Sequence, residues 1–209
     1  MKLIYLHGFA SGPMSSKAQF FRRRFADLGV DMQIPDLAEG NFEGLTISGQ
    51  LRVIERVADG EDVWLMGSSM GGYLAALYAA RHPQVTQLIL LAPAFGFAKR
   101  WPLRLGGDKV AEWRRTGWLP VYHYSEKRES RVGYALLEDG AQYEAYPDVS
   151  QPVLIFHGRE DDVVPVEYSR EFAALHPQAA LREMDSGHDL LNVLEEMWAE
   201  IRSLIPARS

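Results

Sequence analysis

The sequence predicts a parallel, doubly wound α/β sheet, and two observations carry that expectation. Short apolar runs alternate with longer amphipathic ones over most of the chain, the pattern of strands joined by crossover helices. Several of these segments stop on glycine or proline, residues that end regular structure.

Taken in order, Leu3-Ile4-Tyr5-Leu6 reads as a buried strand stopped by Gly8. Phe20, Phe21, Phe25 and Leu28 recur at helical spacing across 15–28, with Arg22, Arg23 and Arg24 turned outward and Gly29 closing the helix. Asp31 to Ile34 is a weaker strand ended by Pro35. Ile47, Leu51, Ile54 and Val57 mark a helix over 46–59. Val63 to Met66 is a third strand, followed by an alanine-rich helix from Tyr73 to Ala80. Val85–Leu91, Val153–Phe156 and Ala179–Met184 complete six strands. Helices fit over 166–175 and 189–204, the latter striped by Leu190, Leu191, Leu194, Trp198, Ile201 and Leu204.

The alternation fails between about 95 and 150. A gap that long inside a folded unit is normally functional, so the chain is expected to be a single domain, 1–209, with a cap inserted at about 95–150. Residues 99–131 hold nine basic side chains against four acidic ones and three of the five tryptophans. That window carries +5, leaving −11 on the rest of a chain whose net charge is −6. An amphipathic helical lid, with aromatic residues inward and basic ones solvated, is one expectation. The other is that some basic groups face the pocket mouth and attract anionic substrates.

Composition excludes several classes. With 47% apolar and 24% charged residues the chain is neither disordered nor collagen-like. It has no cysteine, hence no disulfide, thiolate metal site or cysteine nucleophile. The acidic balance argues against a nucleic-acid partner. No run approaches the roughly 18–20 apolar residues of a membrane span, and the first residues do not resemble a signal peptide, so a cytoplasmic location is expected. Sequence leaves monomer and homodimer equally open.

Chemistry concentrates at Gly67-Ser68-Ser69-Met70-Gly71, a G-x-S-x-G string directly after an apolar strand and before a helix. A strand that turns into a helix within a few residues strains the serine and brings neighbouring backbone close, which is why glycines flank it. The turn would lift Ser69 Oγ clear of the sheet above a helix N-terminus that favours negative charge, while Ser68 points away. The alternative is a glycine-rich turn without chemistry. Dinucleotide and P-loop readings fail on spacing.

A serine needs a base, and the base an orienting acid. Of six histidines, His82 and His176 precede proline at helix ends and read as surface caps. His7 and His157 read as local hydrogen bonders in turns, and His123 as solvated. His188, in Asp185-Ser186-Gly187-His188-Asp189 after the last strand, is the candidate base. The acid comes from the turn His157-Gly158-Arg159-Glu160-Asp161-Asp162, where several carboxylates crowd. With Asp161 the chain order is Ser, Asp, His, and all three positions fall at strand carboxyl ends, where open α/β sheets bind ligands.

With these residues in place the chain resembles the α/β-hydrolase superfamily over roughly 2–95 and 150–205. Tyr5-Leu6-His7-Gly8-Phe9 and Gly67 to Gly72 are similar to the minimal bacterial esterases of the YqiA type. His157-Gly158-x-x-Asp161-x-x-Val164-Pro165 is similar to the superfamily's acid loop, which favours Asp161 over Asp162. A similar elbow and acid loop occur in the mitochondrial acyl-protein thioesterase of the α/β-hydrolase-domain group. The resemblance implies an α/β-hydrolase fold, a minimal six-stranded parallel sheet flanked by helices with an inserted cap. It also implies a serine carboxylesterase that works through Ser69, Asp161 and His188, with backbone N–H groups of Phe9 and Met70 as the oxyanion hole. Neither metal nor organic cofactor is implied. The substrate would be a small-molecule ester, or alternatively a thioester. A rival of another class is a hydrolase-like binding module without catalysis.

Overall fold

Each of the six apolar runs becomes a strand of one sheet. The computed structural model describes residues 2–205. In chain order its elements begin β1 (Lys2–Leu6), α1 (Ser16–Ala26), β2 (Met32–Gln33), α2 (Ile47–Ala58), β3 (Val63–Ser68), α3 (Met70–Ala79) and β4 (Val85–Leu91). An insertion follows, made of α4 (Phe97–Leu105), α5 (Gly107–Thr116), β5 (Trp118–His123), β6 (Arg128–Gly133) and α6 (Ala135–Gly140). The chain then returns through β7 (Val153–Gly158), α7 (Glu167–Leu175) and β8 (Ala179–Met184), and ends in a short 3-10 turn and α8 (Leu194–Ser203).

The sheet runs β2-β1-β3-β4-β7-β8 and every pairing in it is parallel. Parallel strands need covered faces, and the alternation within β1 shows how both are covered. Leu3 and Tyr5 face Phe21 and Phe25 of α1 and Met197, Trp198 and Ile201 of α8. Ile4 and Leu6 face the other side, with Ile54 of α2, Leu74 of α3 and Phe172 of α7. All ten residues of α3 are buried, which explains its lack of a polar face.

The register pairs Leu6 with Gly67, Ser68 with Leu91, Leu91 with Phe156 and Gly158 with Met184. The carboxyl ends of five strands therefore form one row, and the loops that leave them gather at one edge. From β1 the chain steps outward to β2 and then back across to β3, so strand order reverses beside β1. This is the place where a crevice opens in such sheets.

The insertion departs from the helical lid expected of it. Its β5 and β6 form an antiparallel ribbon, with Trp118 opposite Gly133 and His123 opposite Arg128. Burial alternates along β5, and the ribbon is tied to the rest of the molecule by Tyr124 N–H donating to Ala10 O (2.9 Å) and Gly133 N–H donating to Glu43 O (2.9 Å). Trp113 of α5 is fully buried, donates Nε1–H to Val132 O at 3.1 Å, and stacks edge-on to Trp101. Trp101 in turn meets Phe9, so an aromatic chain links the insertion to the loop after β1. Among the described residues no helix is long and apolar enough to cross a membrane.

Candidate active site

The turn from β3 into α3 holds Ser69 at φ 53°, ψ −116°, outside the ordinary wells of an L-residue. Its neighbours make the turn possible. A Cβ on Gly67 would lie 2.2 Å from Gly71 O, and one on Gly71 would lie 2.0 Å from Leu6 O. No side chain fits at either position. Ser68 is buried and reaches the Tyr5 hydroxyl on the far side of the sheet, whereas Ser69 faces the cavity.

His188 arrives from the loop after β8. Its Nε2 lies 3.1 Å from Ser69 Oγ and its Nδ1 lies 2.7 Å from Asp161 Oδ2. In the neutral ring the Ser69 hydroxyl donates to Nε2 while Nδ1–H donates to the carboxylate. The loop can settle there because Gly158 has no side chain, since a Cβ would lie 2.2 Å from Ser186 O.

Asp161 is buried, yet it is well furnished with donors. Val163 and Val164 N–H donate to Oδ1 at 2.9 and 2.7 Å, and His188 donates to Oδ2. Burial alone would raise its pKa. Hydrogen bonds from His157 and His188, the His188 charge and the Val164 amide outweigh burial and hold the carboxyl well below the usual range. Asp162 is exposed and makes no comparable contact.

His157 does more than the turn role expected of it. It is fully buried, with Nε2 2.8 Å from Val164 O and 3.1 Å from Asp161 Oδ2, and Nδ1 2.7 Å from Ser169 Oγ. The arrangement has Nε2–H donating and the Ser169 hydroxyl donating back to Nδ1. His157 thus braces the acid loop from the side opposite His188. Its place in the strand gave no warning of this, because the contact depends on how the next seven residues fold back.

Two further histidines correct their sequence readings. His176 is not a surface cap: it is buried, stacked on Phe172, with Nδ1 against Phe172 O at 2.8 Å. His123 is not solvated: at the end of β5 it is buried and packs edge-on to Phe42. His7 does bond within its own turn, to Gly8 O, and also accepts from Leu37 N–H at 3.3 Å.

Ser69, Phe9 and Met70 share one cavity of about 380 Å³. Among the described residues neither the Phe9 nor the Met70 N–H donates to a protein acceptor. Phe97 and Trp101 of α4 and Val121 and Tyr122 of β5 supply its apolar walls, and Arg100 and Arg104 are its basic members. No cluster of three or more His, Asp or Glu side chains that could hold a metal ion occurs among the described residues.

Comparison with known proteins agrees with this architecture. A family model described as "Uncharacterised protein family (UPF0227)" matches residues 2–204. The mitochondrial palmitoyl-protein thioesterase ABHD10 of Bos taurus is 27% identical over 186 residues, covering 82% of this chain. The match spans 60% of that relative's length. Among solved structures, a chain from Agrobacterium vitis S4 described as a candidate hydrolase superposes with a TM-score of 0.86 at 29% identity, covering 98% of this chain and 88% of its own. Est1E from Butyrivibrio proteoclasticus, solved with ferulic acid bound, superposes with a TM-score of 0.75 at 22% identity, with coverage of 98% and 88%, a likeness of fold alone.

Proposed function

Because the chain belongs to the UPF0227 family and carries the α/β-hydrolase fold, we propose that it is a serine carboxylesterase working through an acyl-enzyme on Ser69. The observation that carries this reading is the hydrogen-bonded line from Ser69 Oγ to His188 (3.1 Å) and on to Asp161 (2.7 Å), set on a strained elbow. Ser69 Oγ attacks the ester carbonyl while His188 Nε2 takes its proton. The carbonyl oxygen becomes an oxyanion facing the N–H groups of Phe9 and Met70, each such donor worth about 3–4 kcal/mol to the transition state. The intermediate collapses, the C–O bond to the leaving alcohol breaks, and His188 returns the proton to that alcohol. Water then repeats the cycle on the acyl-enzyme and frees Ser69 and the acid. Asp161 fixes the His188 tautomer and stabilises the imidazolium without itself being protonated. The insertion at about 95–150 acts as the cap of this single domain.

Thioester cleavage uses the same parts, and the palmitoyl-protein thioesterase relative favours it as a second reading. A panel of 4-nitrophenyl esters and acyl-CoA thioesters of graded chain length ranks the two. On the preferred substrate Ser69→Ala should lower kcat by about three orders of magnitude or more. A variant that keeps a tenth of the activity would overturn the assignment.

A further inference from the structure

Most of the insertion's arginines have partners at the surface. Arg131 pairs with Glu43, Arg128 with Glu126 and Arg115 with Glu112, while Arg114 lies over the Tyr134 ring. Arg100 and Arg104 are different. They sit one turn apart on α4, line the cavity with Ser69, and each makes one hydrogen bond, both to the same acceptor, Val163 O, at 2.8 and 2.9 Å. The two guanidinium groups are therefore side by side, and among the described residues neither has a carboxylate partner.

Arg100 is the inner of the two and is half-buried against Tyr168. Its Nε–H is sealed from solvent and has no acceptor. Burial, and then the Arg104 charge, push its pKa down against the pull of Tyr168, Asp161 and Tyr146. Of these, the ionised group is Asp161, and its oxygens are already engaged by His188 and two backbone amides. Two like charges held side by side on one carbonyl reinforce each other's attraction for an anion. The cavity that these arginines share with Ser69 is otherwise lined largely by apolar side chains, Phe97, Trp101 and Val121 among them.

Resting on the serine-esterase reading, we propose that the substrate is an ester with an apolar spacer and a carboxylate remote from the scissile bond, which Arg100 and Arg104 bind. Guanidinium forks match carboxylates in geometry as well as charge. Arg104 is exposed at the mouth and meets the anion first, and Arg100 holds it deeper.

The test is a ratio of kcat/KM within two matched pairs. Mono-4-nitrophenyl adipate against 4-nitrophenyl hexanoate places the carboxylate on the acyl side. 4-Butyryloxybenzoate against 4-methylphenyl butyrate places it on the leaving group. The carboxylate ester should be preferred about tenfold or more in one pair, the preference should shrink as salt rises, and Arg100→Met/Arg104→Met should bring the ratio close to one. Arg104→Glu, at an exposed position, should carry the ratio below one even if the double variant folds poorly. A wild-type ratio at or below one in both pairs, or a preference that Arg104→Glu leaves intact, overturns the proposal. Binding to the Ser69→Ala protein separates the two claims. In at least one of two pairs, monomethyl adipate against methyl hexanoate or 4-butyryloxybenzoate against 4-methylphenyl butyrate, the carboxylate ester should bind about tenfold more tightly. If wild type cleaves no ester but this difference stands, the esterase reading fails and the anion site survives. If wild type cleaves neutral esters and the difference is missing, the anion site fails alone.

Discussion

At the elbow, Gly67, Gly71 and Leu6 approach so closely that a single methyl group has nowhere to go, and α3 behind them is buried along its whole length. Across the cavity the insertion presents helix faces and a two-stranded ribbon with aromatic residues on one strand and charged ones on the other, and many of its side chains reach solvent. The first region is fixed to tenths of an ångström because a bond-making geometry depends on it. The second is less tightly packed against the sheet, and on the inference above the charge it presents would select what enters. On the proposed function, one region sets the reaction and the other sets the reactant.

If that division holds, substitutions should differ in kind as well as size. The largest effect should come from Gly71→Ala, whose Cβ would lie 2.0 Å from a backbone oxygen. A loss of about 3 kcal/mol or more is expected, seen as a fall in melting temperature of roughly 6–12 °C for a chain of this size, with activity abolished. A variant as stable and active as wild type would mean that the elbow is not rigid.

Next in size is the acid. Asp161→Asn should lower kcat by several orders of magnitude, roughly 10⁴ by analogy with other triads, while the exposed Asp162→Asn should have little effect; the reverse ranking would move the role to Asp162. The same residue makes a stability prediction with a definite sign. Its folded pKa lies below the unfolded value near 3.9. Its ionisation therefore stabilises the fold above that pH, and the contribution is lost as pH falls through the folded value. The stability gap between wild type and Asp161→Asn should be level above about pH 5 and close progressively below about pH 4. A gap that widens in acid would contradict the hydrogen-bonding account of this carboxylate.

The smallest effect belongs to the insertion's surface. Arg131 and Glu43 form a two-pronged ion pair, and Arg131 also covers the Trp118 ring at 4.3 Å. Both side chains are exposed, so Glu43→Gln should barely move the melting temperature. A large drop would show that the ribbon is anchored by charge rather than by Trp113 and the backbone bonds at Tyr124 and Gly133.

What the sequence disclosed follows the same divide. The four inner strands of the sheet stand where the apolar runs lie, because a strand buried on both faces must be apolar along its length, and that is visible in one dimension. Ser69, Asp161 and His188 were legible because each sits in a turn at a strand end, and the structure brings them together. The ribbon at 118–133 was hidden because Pro120 interrupts one strand and Arg128, Glu129 and Arg131 load the other with charge, which a two-stranded exposed ribbon tolerates. His176 was misjudged for a different reason, since the Val149 amide that donates to its Nε2 lies 27 residues away, while His157 keeps its turn bonding and adds Ser169 of α7. Arg100 and Arg104 were visible as charge but not as neighbours, since their shared acceptor, Val163, lies some 60 residues away.

The claim on which all of this rests is that Ser69 is the nucleophile. Reaction of the native protein with a fluorophosphonate, followed by intact-mass and peptide mapping, addresses it directly. One adduct per chain is expected, located on Ser69, lost in Ser69→Ala and retained in Ser68→Ala. No adduct on the folded native protein, or one that maps to Ser68 or to any residue outside the elbow, would contradict it.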